Sequence, residues 1–240
     1  MAERRIYVFQ HVACEDLGTF AEVLAARSFQ PLYVRLFAGD SIPTDCDRSS
    51  ALIFLGGPMS VNDEAQYDYL AQEKATIRHA LERRQPVLGV CLGAQLLASA
   101  AGSRVFPGAR PEIGWEPVSL TIEGQNDPVL SGLESSVEAV FHWHGETFDL
   151  PPEATRLAFS GLTMNQAFCV GANAYGLQFH LEVDAAMIAA WVREYRHDLG
   201  TDGAVQEQRL AGDTARHAAA LRNAATGAMQ RFLDIVPRPA

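Results

Sequence analysis

The apolar run Pro86-Val87-Leu88-Gly89-Val90 passes without a break into Cys91-Leu92-Gly93-Ala94-Gln95, and this junction constrains the chain more than any other stretch. The run reads as a buried strand, while 92–101 is rich in helix formers. Cys91 therefore falls on a strand-to-helix turn, the geometry of a nucleophile elbow. Such a turn needs glycines beside it, because a Cβ there clashes in the sharp bend or keeps neighbouring backbone from a bound substrate. A helix starting just after the thiol also aims unpaired N–H groups and a partial positive charge at the sulfur, which favours thiolate. Alone the pattern is weak, since free cysteines mostly pack as small hydrophobes.

A base for that sulfur is found in Gln178-Phe179-His180-Leu181-Glu182, where an apolar strand through Tyr175, Leu177 and Phe179 ends in a histidine, with a carboxylate two residues on. Side chains at i and i+2 share a strand face, so Glu182 can fix the His180 tautomer and stabilise its imidazolium. Cys91, His180 and Glu182 are then candidate nucleophile, base and orienter. The loop Leu55-Gly56-Gly57-Pro58-Met59-Ser60 follows an apolar strand at 51–55. Gly-Gly and Gly-Pro mark turns anywhere, but in a parallel sheet this loop and Cys91 both lie at carboxyl ends of strands, where sites form. A glycine N–H of the loop and the amide of Leu92 are candidates for an oxyanion hole. A phosphate loop does not fit: Asp63 and Glu64, expected near the start of the next helix, would repel phosphate, and no Lys-Ser or Lys-Thr follows.

Residues 6–9, 32–36, 51–55 and 87–90 read as strands and 17–26 and 64–84 as helices, an alternation that predicts an α/β fold. In the second helix Tyr67, Leu70, Lys74, Ile77 and Leu81 form a core-facing stripe. After Arg104 the pattern turns to strands without intervening helices, such as 115–122 and 137–141. The expected architecture is a flavodoxin-like or Rossmann-like, mostly parallel sheet flanked by helices, with antiparallel additions. Residues 1–184 are expected to form that unit and 185–240 a C-terminal helical appendage, with helices at 185–199 and 204–235 and a packing role. Its His197 and His217 are expected to be solvated or salt-bridged.

Composition sets the remaining bounds. A chain of 240 residues, 48% of them hydrophobic, can bury a substantial core. Nineteen Lys and Arg against twenty-nine Asp and Glu give a formal charge of −10 without a basic cluster, so nucleic acid is not an expected partner. Cys14, Cys46, Cys91 and Cys169 are scattered without paired metal-ligand spacing, and Met1-Ala2-Glu3-Arg4-Arg5 shows no secretory pattern. A reducing cytoplasm is the expected setting, and no metal or cofactor is expected. No apolar stretch approaches the ~20 residues needed to cross a bilayer, so no membrane association is expected.

With three motifs in this order and approximate spacing, the chain resembles the class I (triad) glutamine amidotransferases from about residue 6 to 182. It is most similar to small stand-alone proteins that look like the amidotransferase domain of GMP synthetase. The resemblance implies Cys91 as nucleophile, His180 as general base and acid, and Glu182 as its orienter. It implies Gly57 and Leu92 as oxyanion-hole amides, with Met59 and Gln95 helping to hold glutamine. Trp143-His144-Gly145-Glu146 falls where the GMP synthetase domain has a Ser-His-Gly-Asp-like stretch that grips the amino-acid end of the substrate. Trp143 replaces a smaller polar residue there, so only its backbone role carries over. His144 and Glu146 repeat the i, i+2 spacing and compete with the His180 pair; the resemblance assigns the base to His180. Glu112-Ile113-Gly114-Trp115 resembles a stretch of the stand-alone proteins and is expected to be structural: a turn glycine, a tryptophan over the core and a carboxylate satisfied by backbone.

Amidotransferases of this class hydrolyse glutamine through a γ-glutamyl thioester and pass the ammonia to a synthetase domain. No Gly-rich ATP-binding loop with a following aspartate is present here, and the ~55 residues after the triad are too few for a nucleotide-binding domain. Three readings follow. The first expectation is a glutaminase, with glutamine as substrate and a separate synthetase receiving the ammonia. The alternative is a γ-glutamyl peptidase or hydrolase acting on γ-glutamyl compounds without an acceptor. A non-catalytic regulatory protein on the same fold is the third, against which the intact triad argues.

Overall fold

A computed structural model describes residues 4–237; residues 1–3 of the N-terminal run and 238–240 of the appendage lie outside the described part. The alternation read from the sequence becomes β1 (Arg4–Gln10), α1 (Thr19–Ala26), β2 (Phe29–Arg35), β3 (Ala51–Phe54), α2 (Tyr69–Glu82), β4 (Val87–Val90) and α3 (Leu92–Ala100). β2, β1, β3 and β4 pair in parallel, which places the carboxyl ends of β3 and β4 on one edge of the sheet. Every residue of β3 and β4 is buried, as expected for parallel strands covered by helices on both faces.

The second half adds β5 (Val105–Glu116), β6 (Ser119–Leu120), α4 (Ile122–Gln125), α5 (Leu133–Ser136), β7 (Val140–Phe148), β8 (Ala154–Phe159), β9 (Ala167–Val170) and β10 (Ala174–Leu177). Among the described residues the main sheet has eight strands in the order β2-β1-β3-β4-β10-β9-β8-β6, and β5 and β7 form a separate antiparallel ribbon. β10 runs parallel to β4 and antiparallel to β9, so it is the seam between the two halves.

Three sequence expectations are corrected here. The strand expected at 115–122 is divided: β5 ends at Glu116, Pro117 supplies no N–H to a ladder, and β6 joins the main sheet. Thr121 then caps α4, its Oγ1 accepting from the Gly124 amide at 3.0 Å, so short helices do intervene after Arg104. The helix expected from residue 64 begins at Tyr69, because Asp63 closes a turn by accepting from the Ser60 amide at 2.8 Å. Glu64 pairs instead with Lys74, whose Nζ also donates to the Val61 carbonyl. Of the stripe on this segment, Leu70, Lys74 and Ile77 are buried and Tyr67 and Leu81 half-buried.

α6 (Ala185–Glu194) starts at Asp184, whose Oδ1 accepts from the Met187 amide, and passes through a 3₁₀ turn (Arg196–Leu199) into α7 (Gly203–Ile235). α7 buries Leu210, Leu221, Met229, Phe232 and Leu233 and packs on α1, α5, α6 and β5. Each such side chain contributes about 1.5–3 kcal/mol by leaving water. No helix among the described residues is long and apolar enough to cross a membrane.

Candidate active site

Cys91 occupies the turn between β4 and α3 with φ of 51°, one of three non-glycine residues with positive φ among those described. A side chain held in this region costs of order 1–3 kcal/mol and persists where the surroundings over-determine it. They do so here through the Cys91 amide, which donates to the Leu177 carbonyl at 2.7 Å, and its carbonyl, which accepts from Gln95 at 3.1 Å. The flanking glycines are set by close approach: a Cβ on Gly89 would lie 2.3 Å from the Gly93 oxygen, and one on Gly93 2.0 Å from the Phe54 oxygen. Gly93→Ala is therefore expected to push α3 off the sheet. An overpacking cost of about 1–3 kcal/mol translates to roughly 2–4 °C of melting temperature per kcal/mol at this size. A thermal melt indistinguishable from the parent would show that α3 can shift without loss.

His180 lies beyond the strand that was expected to carry it. β10 stops at Leu177, and His180 is held by its amide donating to the Phe141 carbonyl at 2.8 Å. The pairing with Glu182 forms nonetheless, with Nδ1 2.6 Å from Oε1 and both residues buried. The carboxylate accepts from Nδ1–H, so Nε2 is the nitrogen free to exchange a proton. Nε2 has no partner in strict hydrogen-bond geometry. Burial by itself lowers the His180 pKa, but the charges of Glu182 and then Cys91 outweigh it and hold the pKa well above the ordinary value. Trp191 meets the ring edge-on at 4.7 Å between centroids. The Cys91 Sγ is 3.7 Å from both the Trp143 carbonyl and Gln178 Nε2.

The glycine loop sits at the same sheet edge as Cys91. A Cβ on Gly57 would stand 3.0 Å from Leu92 Cδ2 and 2.8 Å from Met59 Sδ, so Gly57 abuts the first residue of α3. The loop is braced from behind by buried His11, whose Nδ1 donates to the Gly56 carbonyl at 3.0 Å while Nε2 meets Glu73 at 3.0 Å. Burial lowers the His11 pKa, and Glu73 more than offsets it. This brace left no trace in the sequence, because 62 residues separate its partners.

Cys91, His180, Gly57, Met59, Gln95, Trp143, His144, Gly145 and Glu146 line one cavity of about 450 Å³. Gln95 Nε2 donates to Gln178 Oε1 at 3.1 Å and to the Glu146 carbonyl at 3.4 Å, tying α3 to β7. The competing pair does not form. His144 Nδ1 donates to the backbone oxygen of Glu146, and the Glu146 carboxylate accepts from Ser60 Oγ at 3.0 Å. Burial pulls the His144 pKa down to about 4, against the raising effect of Glu112, too low for a base near neutrality. The carboxylate of Glu112 is satisfied by side chains rather than by backbone: it accepts from Ser160, Thr163 and Gln166.

The far wall comes from residues that carried no motif: Glu15, Trp191, Tyr195, His197 and Asp198. Tyr195 donates to Glu15 Oε1 at 2.8 Å, Trp191 Nε1 to the Cys14 carbonyl at 2.8 Å, and Trp143 Nε1 to Asp198 Oδ2 at 2.9 Å. Glu15 stands beside His180, since a Cβ on Gly56 would touch both. Burial raises the Glu15 pKa, His180 and Tyr195 oppose this, and Glu182 adds to it. Exposed His197 is 3.3 Å from Asp198, and His217 lies against Trp115 with centroids 5.5 Å apart. The described lining carries four carboxylates, Glu15, Asp63, Glu146 and Asp198, and no Lys or Arg.

The family model for glutamine amidotransferase class-I matches residues 21–188. YfeJ of Salmonella typhimurium, a glutamine amidotransferase-like protein, is 29% identical over 198 residues, covering 81% of this chain and 82% of that protein. The glutamine-hydrolysing GMP synthase of Porphyromonas gingivalis is 29% identical over 215 residues, and the match covers 78% of this chain but 40% of the synthase. A glutamine amidotransferase crystal structure from Thermotoga maritima superposes with a TM-score of 0.86 at 30% identity, covering 98% of this chain and 100% of that one. The matched family span holds Cys91, the glycine loop and the His180–Glu182 pair, while Glu15 and residues 191–198 of the far wall fall outside it. The chain belongs to the class-I glutamine amidotransferase family.

Proposed function

We propose that the protein hydrolyses the γ-amide of glutamine through a thioester on Cys91, giving glutamate and ammonia. The observation that carries this is the meeting, in one cavity, of a thiol at a strained helix N-terminus and a buried imidazole whose proton is positioned by a carboxylate at 2.6 Å. Cys91 passes its thiol proton to His180 as its sulfur attacks the γ-carbonyl carbon, and the Gly57 and Leu92 amides receive the charge that develops on the oxygen. His180 gives a proton to the departing nitrogen, the C–N bond breaks and ammonia leaves. His180 then takes a proton from water, which attacks the thioester and releases glutamate and the thiol. Met59, Gln95 and the backbone of Trp143 to Glu146 hold the amino-acid end. Residues 1–184 act as the amidotransferase-like domain, and the helical appendage 185–240 completes the pocket. A separate synthetase as ammonia acceptor is supported by the match to one part of a full-length GMP synthase.

A second reading, γ-glutamyl hydrolase, is favoured by the far wall. Trp191, Tyr195, His197 and Asp198 extend the cavity beyond the matched family span and give it aromatic and acidic surface that a departing ammonia would not use. Purified protein incubated separately with glutamine and with γ-glutamyl peptides, following ammonia, glutamate and released amine, separates the two. Slow ammonia release from glutamine is expected. Efficient peptide cleavage with negligible ammonia would replace the first reading by the second, and no turnover of either with the thiol reduced would favour a non-catalytic role.

A further inference from the structure

A second cluster of chemically active side chains lies behind the substrate-facing stretch of β7, on the ribbon formed with β5. Antiparallel register places Glu112 opposite His144 and Gly114 opposite His142. Glu112, His142 and His144 therefore share one face of the ribbon. All three are buried, and one ring nitrogen of each histidine and a Glu112 oxygen lie within 4.8 Å of one another.

The hydrogen bonds around this cluster fix which atoms converge. His144 Nδ1 bonds the Glu146 carbonyl at 3.1 Å and His142 Nε2 the Glu116 carbonyl at 3.3 Å. A carbonyl oxygen only accepts, so each of these nitrogens carries the ring proton, and the opposite nitrogen presents a lone pair. Those opposite atoms, His144 Nε2 and His142 Nδ1, are buried without a partner. His144 Nε2 faces Glu112 Oε2 at 3.4 Å. Glu112 in turn accepts from Ser160 Oγ at 2.6 Å and from Gln166 Nε2 at 3.0 Å, with Thr163 Oγ1 on the same oxygen as Gln166. Three electron-rich atoms thus lie close together in a buried site, an arrangement that is repulsive unless a cation lies between them.

We propose that Glu112, His142 and His144 bind one divalent transition-metal ion of the zinc type. Two imidazoles and one carboxylate are a recurrent zinc set, and imidazole donors disfavour Mg²⁺ and Ca²⁺. The 3.4 Å edge between His144 and Glu112 equals the ~3.4 Å separation of ligands held about 2.0–2.1 Å from a tetrahedral ion. The outer contacts are those of a metal centre: each histidine donates its other N–H to a backbone carbonyl, and the carboxylate is held by three donors. Entry is available because Glu112 also lines an open cleft with Ser160 and Arg209. The ion ties β5 to β7 and stiffens the backbone at 143–146 that walls the Cys91 cavity, taking no part in the bond-breaking steps. His142 and His144 stand two apart in the sequence, but Glu112 is brought opposite them only by the β5–β7 register, so no metal is expected from the sequence.

The test uses the full chain stripped by a chelator and then titrated with Zn²⁺ against a chromophoric competitor, and separately loaded with Co²⁺ for its visible spectrum. One ion per chain is expected, with Co²⁺ absorption of a nitrogen- and oxygen-ligated centre and no sulfur-to-metal charge-transfer band. Cys91→Ser should leave the affinity unchanged, whereas His142→Ala and Glu112→Gln should weaken it by more than ~100-fold and Ser160→Ala by ~10–100-fold. A thiolate charge-transfer band, loss of binding in Cys91→Ser, or failure of the parent protein to retain zinc against the competitor would overturn the proposal. The parent's cobalt spectrum decides the matter even where a ligand variant fails to fold.

Discussion

Replacing Cys91 with serine is expected to remove hydrolysis, by as much as ~10⁶-fold if the triad acts as a unit, as nucleophile deletions in such units do. A serine retains the shape of the turn but neither the polarisability nor the acidity of the thiol. A diazo-ketone analogue of glutamine should alkylate Cys91 in the parent and nothing in the variant, read by peptide mass spectrometry. The selectivity follows from environment. Burial is the first cause raising the pKa of the other three thiols, Cys46 to about 11, Cys169 to about 12 and Cys14 less far, so none of them supplies thiolate near neutrality. Labelling confined to Cys14, Cys46 or Cys169 would remove Cys91 from the mechanism.

His180→Ala should lower turnover by ~10²–10⁴-fold, because both thioester formation and its hydrolysis need a proton carrier. Glu182→Gln should cost less, and its signature is in the pH profile. Glu182 is the largest of the effects holding the His180 pKa up against burial, so removing its charge lets that pKa fall. The protonated form needed for the departing nitrogen is then lost at lower pH, and the alkaline limb of the rate profile moves toward acid. Stability follows the same sign. A folded-state pKa above the unfolded value adds stability that is complete below the unfolded value of about 6.5 and disappears as pH rises through the folded one. Glu182→Gln should therefore destabilise the protein more at pH 5 than at high pH. An unmoved alkaline limb would dissociate Glu182 from the titration of His180, and a dead His144→Ala beside a fully active His180→Ala would transfer the base to the other pair.

The elbow at Cys91 was legible because nothing there competes: an apolar strand, two glycines required by close approach and a helix starting at once. His180 and Glu182 were legible as neighbours in sequence, although the strand expected to align them ends at Leu177 and a bent segment bridged to Phe141 holds them instead. Divided segments were harder to read. Pro117 and Thr121 split an apolar stretch that looks like one strand, because a missing N–H and a cap outweigh β propensity over a few residues. Long-range polar pairs were not legible at all. Glu15 with Tyr195, His11 with Glu73 and Glu112 with Ser160 depend on which strand edges and helices meet, and only the folded topology determines that.

The wall that Trp191 and Tyr195 build against Cys14 and Glu15 ties together segments 177 and 180 residues apart along the chain. α7 completes the same connection by covering α1, with Phe20 and Phe232 bordering one small interior space. On a ribosome the early strands can collapse as they emerge, yet α1 keeps its apolar side bare until Met229 and Phe232 have left the exit tunnel. The pocket stays unwalled for nearly as long. A nascent chain thus carries Cys91 on a folded sheet well before Trp191, Tyr195 and Asp198 have emerged to wall the cavity beside it. Slow codons placed between those for α1 and those for α7 would lengthen exposure of the sticky α1 surface, and would be felt as aggregation before being felt as lost activity.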